Sequence, residues 1–391
     1  MLRTRLYSPK VSGFLLAVWC CFFATAQAAE VADLFSAEVP VVTQDSGAER
    51  ERAIQLALAQ VLVKATGRRD VPNLPVTANI LRQASRMVEQ YRYRDIPKID
   101  VPAPGAIGAG PPGEADQAPP AFSLWVAFDP QAVQQALEEA ELPIWGTTRP
   151  IMLLWLAVQD GAQRYLVDPA VHMAVKSAAE TAAANRGVPM VFPLMDLEDQ
   201  GRIGVSEVWG NFSDSIMAAS QRYRVDGVLV GRIHRDADGQ WYGRWSLYQN
   251  DGGVHWEESS RTLGQAVAAG IDVQADRLAS RFAQVLSRTA QDQVRLVVYQ
   301  VEDFNDYGRA LKYLQSLNPV KSVLVAGVDA DRVMFDLSLR GSRDGLRQVM
   351  GLGSVLAPVD PFQLRVDQAE DEGGLPGSLA AESEWAFRIV R

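Results

Sequence analysis

The chain has 391 residues, of which 48% are apolar, and it carries a formal net charge of −9 at pH 7. This apolar content is ordinary for a globular protein, and the length predicts two or three domains of roughly 150 residues each. The acidic balance argues against nucleic acid and anionic lipid as partners, because both carry negative charge.

Residues 1–28 have the features of a secretory signal peptide. Three basic residues open the segment, the apolar run Val11–Phe23 follows, and Ala26–Ala28 supplies a cleavage site of small residues. We therefore predict removal near Ala28 and a mature chain in the periplasm or elsewhere in the bacterial envelope. The apolar run is shorter than the ~20 residues that span a bilayer, so no transmembrane segment is predicted in the mature chain.

The two cysteines, Cys20 and Cys21, both lie inside the predicted signal peptide. The mature chain is therefore predicted to have no disulfide, no thiol nucleophile and no cysteine metal ligand. Lipid attachment at Cys20 is disfavoured, because the bulky Trp19 stands where that modification needs a small residue.

Residues 29–146 form the first predicted domain, of the α+β class. Its patterns predict a strand at 31–42, a helix at 47–66 that stops at Gly67, a helix at 77–90, a strand at Tyr91–Arg94, a strand at Phe122–Phe128 and a helix capped by Asp129. The segment 97–120 is rich in proline and glycine, which disfavour regular structure. We expect it to be a flexible loop that interrupts the domain.

The strand at Tyr91–Arg94 alternates, so that its tyrosines share one face while Arg92 and Arg94 share the other. Together with Arg68 and Arg69, these arginines suggest a small basic patch. One interpretation is an anion site for a polysaccharide or a peptide carboxylate. The other is a solvated face on which the arginines pair with some of the many acidic side chains.

Residues 147–290 form the predicted central α/β domain. A strand at Pro150–Val158, a helix at Asp168–Arg186 and a strand at Val188–Met195 favour a parallel pair with a right-handed crossover. The remaining elements are expected to be a helix at 212–223, strands near 228–234, 240–249 and 254–260 with turns at Asp238-Gly239 and Asp251-Gly252, and a helix from Leu263 to about Arg288 with Val285 facing inward.

The middle strand of these three antiparallel strands predicts two different faces. Trp241 and Trp245 fall on one side, which we interpret as core. Tyr242, Arg244 and Ser246 point the other way and can meet water or a partner.

Residues 291–360 form the predicted third domain, whose element order β-α-β-β-α-β is the ferredoxin-like layout. Its elements are expected at Val294–Val301, Phe304–Leu317, Val320–Val328, Arg332–Leu339, Ser342–Met350 and Val355–Pro358. Residues 361–391 are predicted to be an acidic, largely disordered tail, in which Phe387–Val390 can fold back as a strand. The predicted fold class is therefore α/β and α+β in three small units, the middle one a mixed sheet with a tryptophan-rich antiparallel meander.

The sequence has none of the common catalytic or nucleotide-binding motifs. It contains no glycine-flanked serine elbow, GxxxxGK loop, HExxH or SxxK pattern, and it has only three histidines. We therefore predict no catalytic, cofactor-binding or metal-binding residues, which favours a protein that is not an enzyme. The spacing His234-x-Asp236-x-Asp238 is similar to a calcium loop but lacks the liganding glutamate, so we interpret it as a polar hairpin.

Eight residues remain as a possible binding surface. Trp209 and Trp256 lie at the ends of elements, where a tryptophan ring can either pack in the core or anchor a partner. The sequence also allows Arg222 and Asp226 to form a structural ion pair. The full set is Trp209, Arg222, Tyr223, Asp226, Arg232, Trp256, Arg92 and Arg94.

Several segments together resemble a known protein family. They read ALAQVLVKATGRRDV, QYRYR, RPIMLLWLAV, RGVPMVFPLMDLEDQ, AASQRYRVDGVLVGRI, a W-x-x-x-W pair and DY…YLQSL. The chain is similar over nearly its whole mature length to the exported bacterial family called domain of unknown function 2066. The resemblance implies a location in the envelope, but no activity and no catalytic residues. The 97–120 segment is longer than the connection usual in that family.

These observations favour an exported, non-enzymatic module that binds an envelope protein or a cell-wall component. One alternative is a hydrolase that acts on an envelope glycan through paired carboxylates such as Asp196, Glu198 or Glu207. Another alternative is a periplasmic ligand carrier, for which a deep pocket lined by Trp209 or Trp256 would be the sign.

Overall fold

The structure is a computed structural model that describes most of the chain. The described residues are 29–30, 33–96, 120–249, 252–286, 292–329, 331–352, 355–359 and 385–390. The predicted signal peptide, nearly all of the 97–120 loop, and residues 361–384 and 391 of the predicted tail lie outside these ranges.

The first unit packs helices on an antiparallel sheet with strand order β2-β4-β3. Its elements are β1 (Ala29–Glu30), β2 (Ser36–Val41), α1 (Gly47–Thr66), α2 (Thr77–Arg82), β3 (Val88–Asp95), β4 (Phe122–Phe128), α3 (Pro130–Glu139), β5 (Pro143–Ile144) and β6 (Thr148–Arg149). The predicted helix over 77–90 is wrong beyond Arg82. The residues from Val88 onward pair with β4 instead, because sheet pairing with a central strand overrides the local helical pattern.

Helix α1 has the start and stop that its sequence predicts. The Ser46 hydroxyl accepts the Glu49 N–H at 3.2 Å, which caps the first turn. Gly67 ends the helix at φ 69°, a left-handed conformation that glycine adopts without steric cost. Between these ends Leu58 and Val61 are fully buried against the sheet.

The central unit is a six-stranded mixed sheet with strand order β12-β11-β10-β7-β8 and β9 beside β7. Its elements are β7 (Met152–Asp160), β8 (Gln163–Leu166), α4 (Met173–Arg186), β9 (Met190–Val191), α5 (Leu197–Arg202), α6 (Val205–Gly210), α7 (Ser213–Ser220), β10 (Gly227–Arg235), β11 (Trp241–Gln249), β12 (Gly252–Ser260) and α8 (Leu263–Phe282). Strand β9 runs parallel to β7, as the strand–helix–strand pattern predicted. Strand β10 also runs parallel to β7, on its other side.

The tryptophan-rich meander β10–β12 has the two faces that its alternation predicted, but the expectation that Ser246 can meet water is wrong, because this residue is fully buried between neighbouring strands. Trp241 and Trp245 are buried under α4 and α8. Gly270 of α8 makes this packing possible, because a side chain at that position would overlap the Trp245 indole ring. On the opposite face, α6 and α7 pack mainly on β7 and the first half of β10, with Leu166 of β8, Val191 of β9 and Tyr248 of β11 at the margin.

Three details of the central unit differ from the prediction. The strand predicted at Val188–Met195 is limited to the two residues of β9, and the chain then forms α5 and α6, which were not predicted. Helix α4 begins at Met173 rather than Asp168. Helix α8 ends at Phe282, so Val285 does not face inward; it lies exposed in β13 (Gln284–Val285), which pairs with β5.

The third unit has the predicted order β-α-β-β-α-β and one further strand. Its elements are β14 (Gln293–Tyr299), α9 (Phe304–Ser316), β15 (Val320–Asp329), β16 (Arg332–Leu339), α10 (Arg343–Gly351), β17 (Leu356–Pro358) and β18 (Trp385–Ile389). Strand β18 lies between β14 and β17, giving the sheet order β15-β16-β14-β18-β17. The strand predicted to fold back from the tail is therefore a buried member of this sheet.

A fully buried arginine, Arg149, joins the first unit to the central one. Its guanidinium lies 4.1 Å above the Trp145 ring and donates hydrogen bonds to five backbone carbonyl oxygens at 2.6–3.1 Å. The acceptors are Lys64, Trp145, Gly146, Arg186 and Gly187. Three of them lie at the C-terminal ends of α1 and α4, where unpaired carbonyls carry partial negative charge.

A second buried arginine, Arg186, extends this junction to α8. Its guanidinium donates to the Gly67 carbonyl at 2.7 Å and to the carboxylates of Asp272 and Asp276 at 2.9 and 2.5 Å. The end of α1, the end of α4 and the middle of α8 are therefore held at one point.

We predict that Arg149→Met unfolds far more easily than the native protein. Methionine fills part of the space but donates no hydrogen bond, so several buried carbonyls lose their partners. We expect the free energy of unfolding, measured by urea denaturation, to fall by about 3–5 kcal/mol. Arg68→Met is the matched control, because the Arg68–Asp70 ion pair is half exposed and should contribute less than about 1 kcal/mol. Equal losses in the two variants would contradict the role of Arg149.

Candidate functional site

Arg222, one of the predicted surface residues, is the centre of a polar cluster. It lies in a 3-10 turn after α7 and binds both carboxylate oxygens of Asp196, at 2.8 and 2.9 Å. It also donates to Asp199 at 3.0 Å. Asp196 is the N-cap of α5, and its hydrogen bonds with Arg222 and with the Asp199 N–H hold the pKa of its carboxyl well below the usual range. Arg222 thus fixes the short helix that follows β9.

Tyr223 completes this cluster from the other side. Its hydroxyl donates to the fully buried Asp199 carboxylate and accepts the Leu194 N–H at 2.8 Å. Burial, together with the hydrogen bond to Asp199, raises the pKa of Tyr223 to about 12. The Tyr223 ring also makes an edge contact with Trp155 in the core. These contacts give Tyr223 a structural role in holding the 194–199 loop.

The ion pair that the sequence allowed between Arg222 and Asp226 is not formed. Asp226 lies just before β10, where its carboxylate accepts the Ile151 N–H at 2.7 Å and its own N–H donates to the Ile151 carbonyl at 2.9 Å. Burial raises the pKa of Asp226. The partners of Arg222 come instead from residues 23 and 26 positions earlier in the chain. Asp226 therefore aligns the starts of β7 and β10.

The two candidate tryptophans are half-buried and each has a cationic neighbour. The Arg164 guanidinium lies 4.0 Å above the Trp209 ring. Trp256 stacks on Trp245, with ring centroids 6.5 Å apart, and Arg277 approaches its ring at 5.2 Å. Both tryptophans thus belong mainly to the packing of the central unit.

The arginines of the suggested basic patch each have a partner. Arg92 lies 4.2 Å above the Trp125 ring, and Arg94 pairs with Glu38 at 2.9 Å. Arg69 pairs with Asp276 of α8 at 2.6 Å. Arg94 and Arg69 therefore pair with acidic side chains, whereas Arg92 lies over an aromatic ring.

The uncovered half of the central sheet brings together a group of polar and aromatic side chains, which we call the meander's polar face. Strand register places these residues side by side on β10, β11 and β12. The side chains of Arg244 and Glu257 are 61% and 77% exposed. The members are Arg232, His234, Tyr242, Arg244, Ser246, Tyr248, His255 and Glu257.

A hydrogen-bond chain crosses the three strands of the polar face. Arg232 donates to the buried Ser246 hydroxyl at 3.1 Å, and the Ser246 oxygen lies 2.8 Å from Nδ1 of His255. The Ser246 hydroxyl can donate to Nδ1 of His255 in the tautomer that carries no proton on that nitrogen. Burial lowers the pKa of Arg232.

Aromatic contacts stiffen the remainder of the polar face. His234 stacks on Tyr242 with centroids 5.5 Å apart, and Tyr248 makes an edge contact with His255 at 6.1 Å. The sequence analysis named Arg232 as part of a possible binding surface. It also predicted that Tyr242, Arg244 and Ser246 of β11 share a face that can meet water or a partner. The contact between Ser246 and His255 depends on the pairing of β11 with β12, which the sequence pattern did not define.

The carboxylates considered for hydrolysis have structural partners. Asp196 is bound by Arg222, Glu198 pairs with Arg202 at 3.0 Å, and Glu207 accepts the Gly204 N–H at 2.9 Å at the start of α6. Asp236 accepts the Asp238 and Gln240 N–H groups, which makes its loop a hydrogen-bonded turn. Within the described ranges no group of three or more histidine, cysteine, aspartate or glutamate side chains is arranged to hold a metal ion.

A groove of about 600 Å³ lies where α1 meets α8. Its walls include Arg68, Arg69, Asp276 and Ser280, and its lining contains neither Trp209 nor Trp256. This groove is therefore not the deep pocket lined by Trp209 or Trp256 that would indicate a ligand carrier. None of the helices in the described part of the chain combines the length and apolar character needed to cross a bilayer.

Comparison with known proteins adds one family match. Residues 28–146 match a family described as "Domain of unknown function (DUF8605)". This agrees with the resemblance to an uncharacterised family at that coarser level. No curated protein matches the chain.

Among solved structures, seven chains match. One is described as "Crystal structure of uncharacterized protein"; it is 11% identical over 34% of this chain and 90% of that chain, with a TM-score of 0.15. A likeness at this level carries no argument about fold or function.

We predict that Asp226→Asn leaves the neutral-pH stability unchanged or raises it by ~1 kcal/mol or less. Asparagine keeps an oxygen for the Ile151 N–H and removes a partly buried charge. Because burial raises the folded pKa above the usual 3.8, native stability should fall as pH rises from 3.8 through the folded value. The variant should lack this fall, as measured by urea unfolding across that range.

The exposed Asp45→Asn serves as the control for this measurement and should keep the native pH dependence. A marked loss of neutral-pH stability in Asp226→Asn would show instead that the negative charge itself is required.

Proposed function

We propose that the protein is an exported, non-enzymatic module of the bacterial cell envelope, a member of family 2066, that binds a protein partner through the meander's polar face. Two observations support export: residues 1–28 have the pattern of a signal peptide, and the family match begins at residue 28, where that segment ends.

The observation that carries the binding proposal is the uneven cover of the central sheet. On one side of β7 and the first half of β10, Leu153, Trp155 and Val230 are buried under α6 and α7. On the same side of β11 and β12, Tyr242 and Arg244 are exposed. Tyrosine and arginine are enriched at the energetic centres of protein interfaces.

The sheet beneath this surface is suited to hold it in one shape. Trp245 and Trp256 stack on the opposite face and pack against α8, while the Arg232–Ser246–His255 chain links the three strands. A surface fixed before binding loses less side-chain entropy when a partner docks. The polar face therefore favours recognition over catalysis, because its one serine hydroxyl, on Ser246, is buried.

The binding proposal is tested by crosslinking in living cells followed by mass spectrometry, with a double variant of the surface. Tyr242→Ala with Arg244→Glu removes an aromatic anchor and reverses a charge at exposed positions. We expect recovery of the partner to fall at least about tenfold. Arg52→Glu, an equal charge reversal on the exposed side of α1, should leave recovery unchanged.

Two results would count against the binding proposal. One is a native chain that captures no specific protein, and the other is a partner captured equally by the double variant. Release of sugar from purified cell wall by the native chain, lost in Glu198→Gln, would favour the hydrolase instead.

Export is tested separately by cell fractionation and N-terminal sequencing of the accumulated protein. We expect the chain in the periplasmic or envelope fraction, with Ala29 as its first residue, because cleavage should follow Ala28. Replacing Leu15 and Leu16 by arginine should interrupt the apolar run and retain the precursor in the cytoplasm. A full-length native chain found in the cytoplasm would contradict export.

A further inference from the structure

Strand β12 forms one end of the six-stranded sheet of the central unit. Among the described residues, the strand that pairs with it is β11, in an antiparallel register that runs from Trp241–Ser260 to Gln249–Gly252. Its outer edge therefore presents backbone N–H and C=O groups along a nine-residue strand. An edge of this kind can accept a further strand from another protein.

Helix α8 borders this edge on one face of the sheet. Val254 lies on that face, because its neighbour Leu247 on β11 packs against α8. Trp256 lies on the same face, half-buried, and stacks on Trp245. Val254 is 42% exposed and, together with Leu247, lines a groove of about 280 Å³ between the sheet and the helix.

The helix side of this groove is basic. Arg277 and Arg281 line it, and no carboxylate is found in its lining over the described part of the chain. Arg277 lies 5.2 Å from the Trp256 ring and has no ion-pair partner among the described residues. A carboxylate that enters the groove can therefore bind a guanidinium that an aromatic ring already positions.

We propose that the groove between β12 and α8 binds an extended, acidic segment of another protein, which adds to the sheet as an antiparallel strand beside β12. The segment carries an apolar residue opposite Trp256 and an acidic residue opposite Val254, on the side of Arg277. Side chains alternate along a strand, so both residues face α8. In this mode of binding the main-chain hydrogen bonds supply affinity and the alternate side chains supply specificity.

The charge of the groove favours an acidic segment over a second copy of this chain. Two copies joined edge to edge at β12 would bring their α8 helices together, with Arg277 and Arg281 of one helix near the same arginines of the other. Like charges brought together in this way disfavour an interface. An acidic segment instead gains attraction at the same positions.

The test is the binding of a labelled peptide to the mature full-length protein, measured by fluorescence anisotropy. The probe TTVTET, labelled at its N-terminus and amidated at its C-terminus, places valine opposite Trp256 and glutamate opposite Val254. We expect saturable binding with a Kd below about 1 mM, and Arg277→Glu should weaken it at least about tenfold. Arg52→Glu, an equal charge reversal on α1, should leave the affinity unchanged.

A charge exchange tests whether Arg277 meets the glutamate of the probe. The probe TTVTKT carries lysine at that position and should bind the native protein more weakly than TTVTET does. Arg277→Glu should reverse this order and bind the lysine probe more tightly than the native protein binds it. The unfolding midpoint of the variant confirms that the central unit remains folded.

Two N-methylated forms of the probe test the strand pairing. The N–H groups of alternate residues in a strand point to opposite edges, so only one set can face β12. Methylation of that set should weaken binding at least about tenfold, whereas methylation of the intervening set should leave most of the affinity.

Several results would overturn the proposal: no saturable binding up to about 1 mM, binding unaffected by Arg277→Glu, no reversal with the lysine probe, or equal effects of the two methylated probes. The surface variant Tyr242→Ala with Arg244→Glu should bind the probe as the native protein does, because neither residue lines the groove. Failure of this proposal is therefore distinguishable from failure of partner binding at the polar face.

Discussion

The arrangement of the first and central units depends on one buried guanidinium. Arg149 has no carboxylate partner among the described residues, and both burial and the positive charge of nearby Arg186 lower its pKa. Hydrogen bonds to backbone carbonyls at the ends of α1 and α4 offset the free-energy cost of burying this charged side chain. Two helices thus end against a common cation, and their relative position follows from the geometry of a planar, multi-donor group.

The sequence predicts elements well where local pattern and final environment agree. Helix α1 has a capping serine, a periodic apolar face and a terminal glycine, and it forms between the predicted bounds. Strand β9 and helix α8 deviate because distant partners decide where they stop. After β9 the Leu194 N–H binds the Tyr223 hydroxyl, and α8 ends where β13 pairs with β5. The position of β18 between β14 and β17 could not be predicted either, because it depends on pairing with two strands that are distant in sequence.

The same contrast applies to the candidate residues. Arg222 and Asp226 are close in sequence and opposite in charge, which suggested an ion pair. In the fold, Asp226 instead accepts the Ile151 N–H beside the start of β7, and Arg222 binds Asp196 at the N-terminus of α5. Alternation along β11 correctly placed Trp245 and Ser246 on opposite faces, but Ser246 is fully buried rather than open to water. Local pattern could not show that His255 lies across from Ser246, since that contact requires the register of a neighbouring strand. The arrangement of the polar face therefore depends on the register between β10, β11 and β12.

The polar face belongs to the central unit, and the packing of that unit fixes its shape. The strands β10, β11 and β12 that carry it lie side by side in one sheet, and α8 packs on their opposite face. The third unit contacts the first through Arg340, which approaches Glu138 at 3.4 Å and donates to the Asn318 carbonyl within its own unit. A partner that docks on the polar face would therefore meet side chains that the central sheet has already placed, so little ordering is needed on binding.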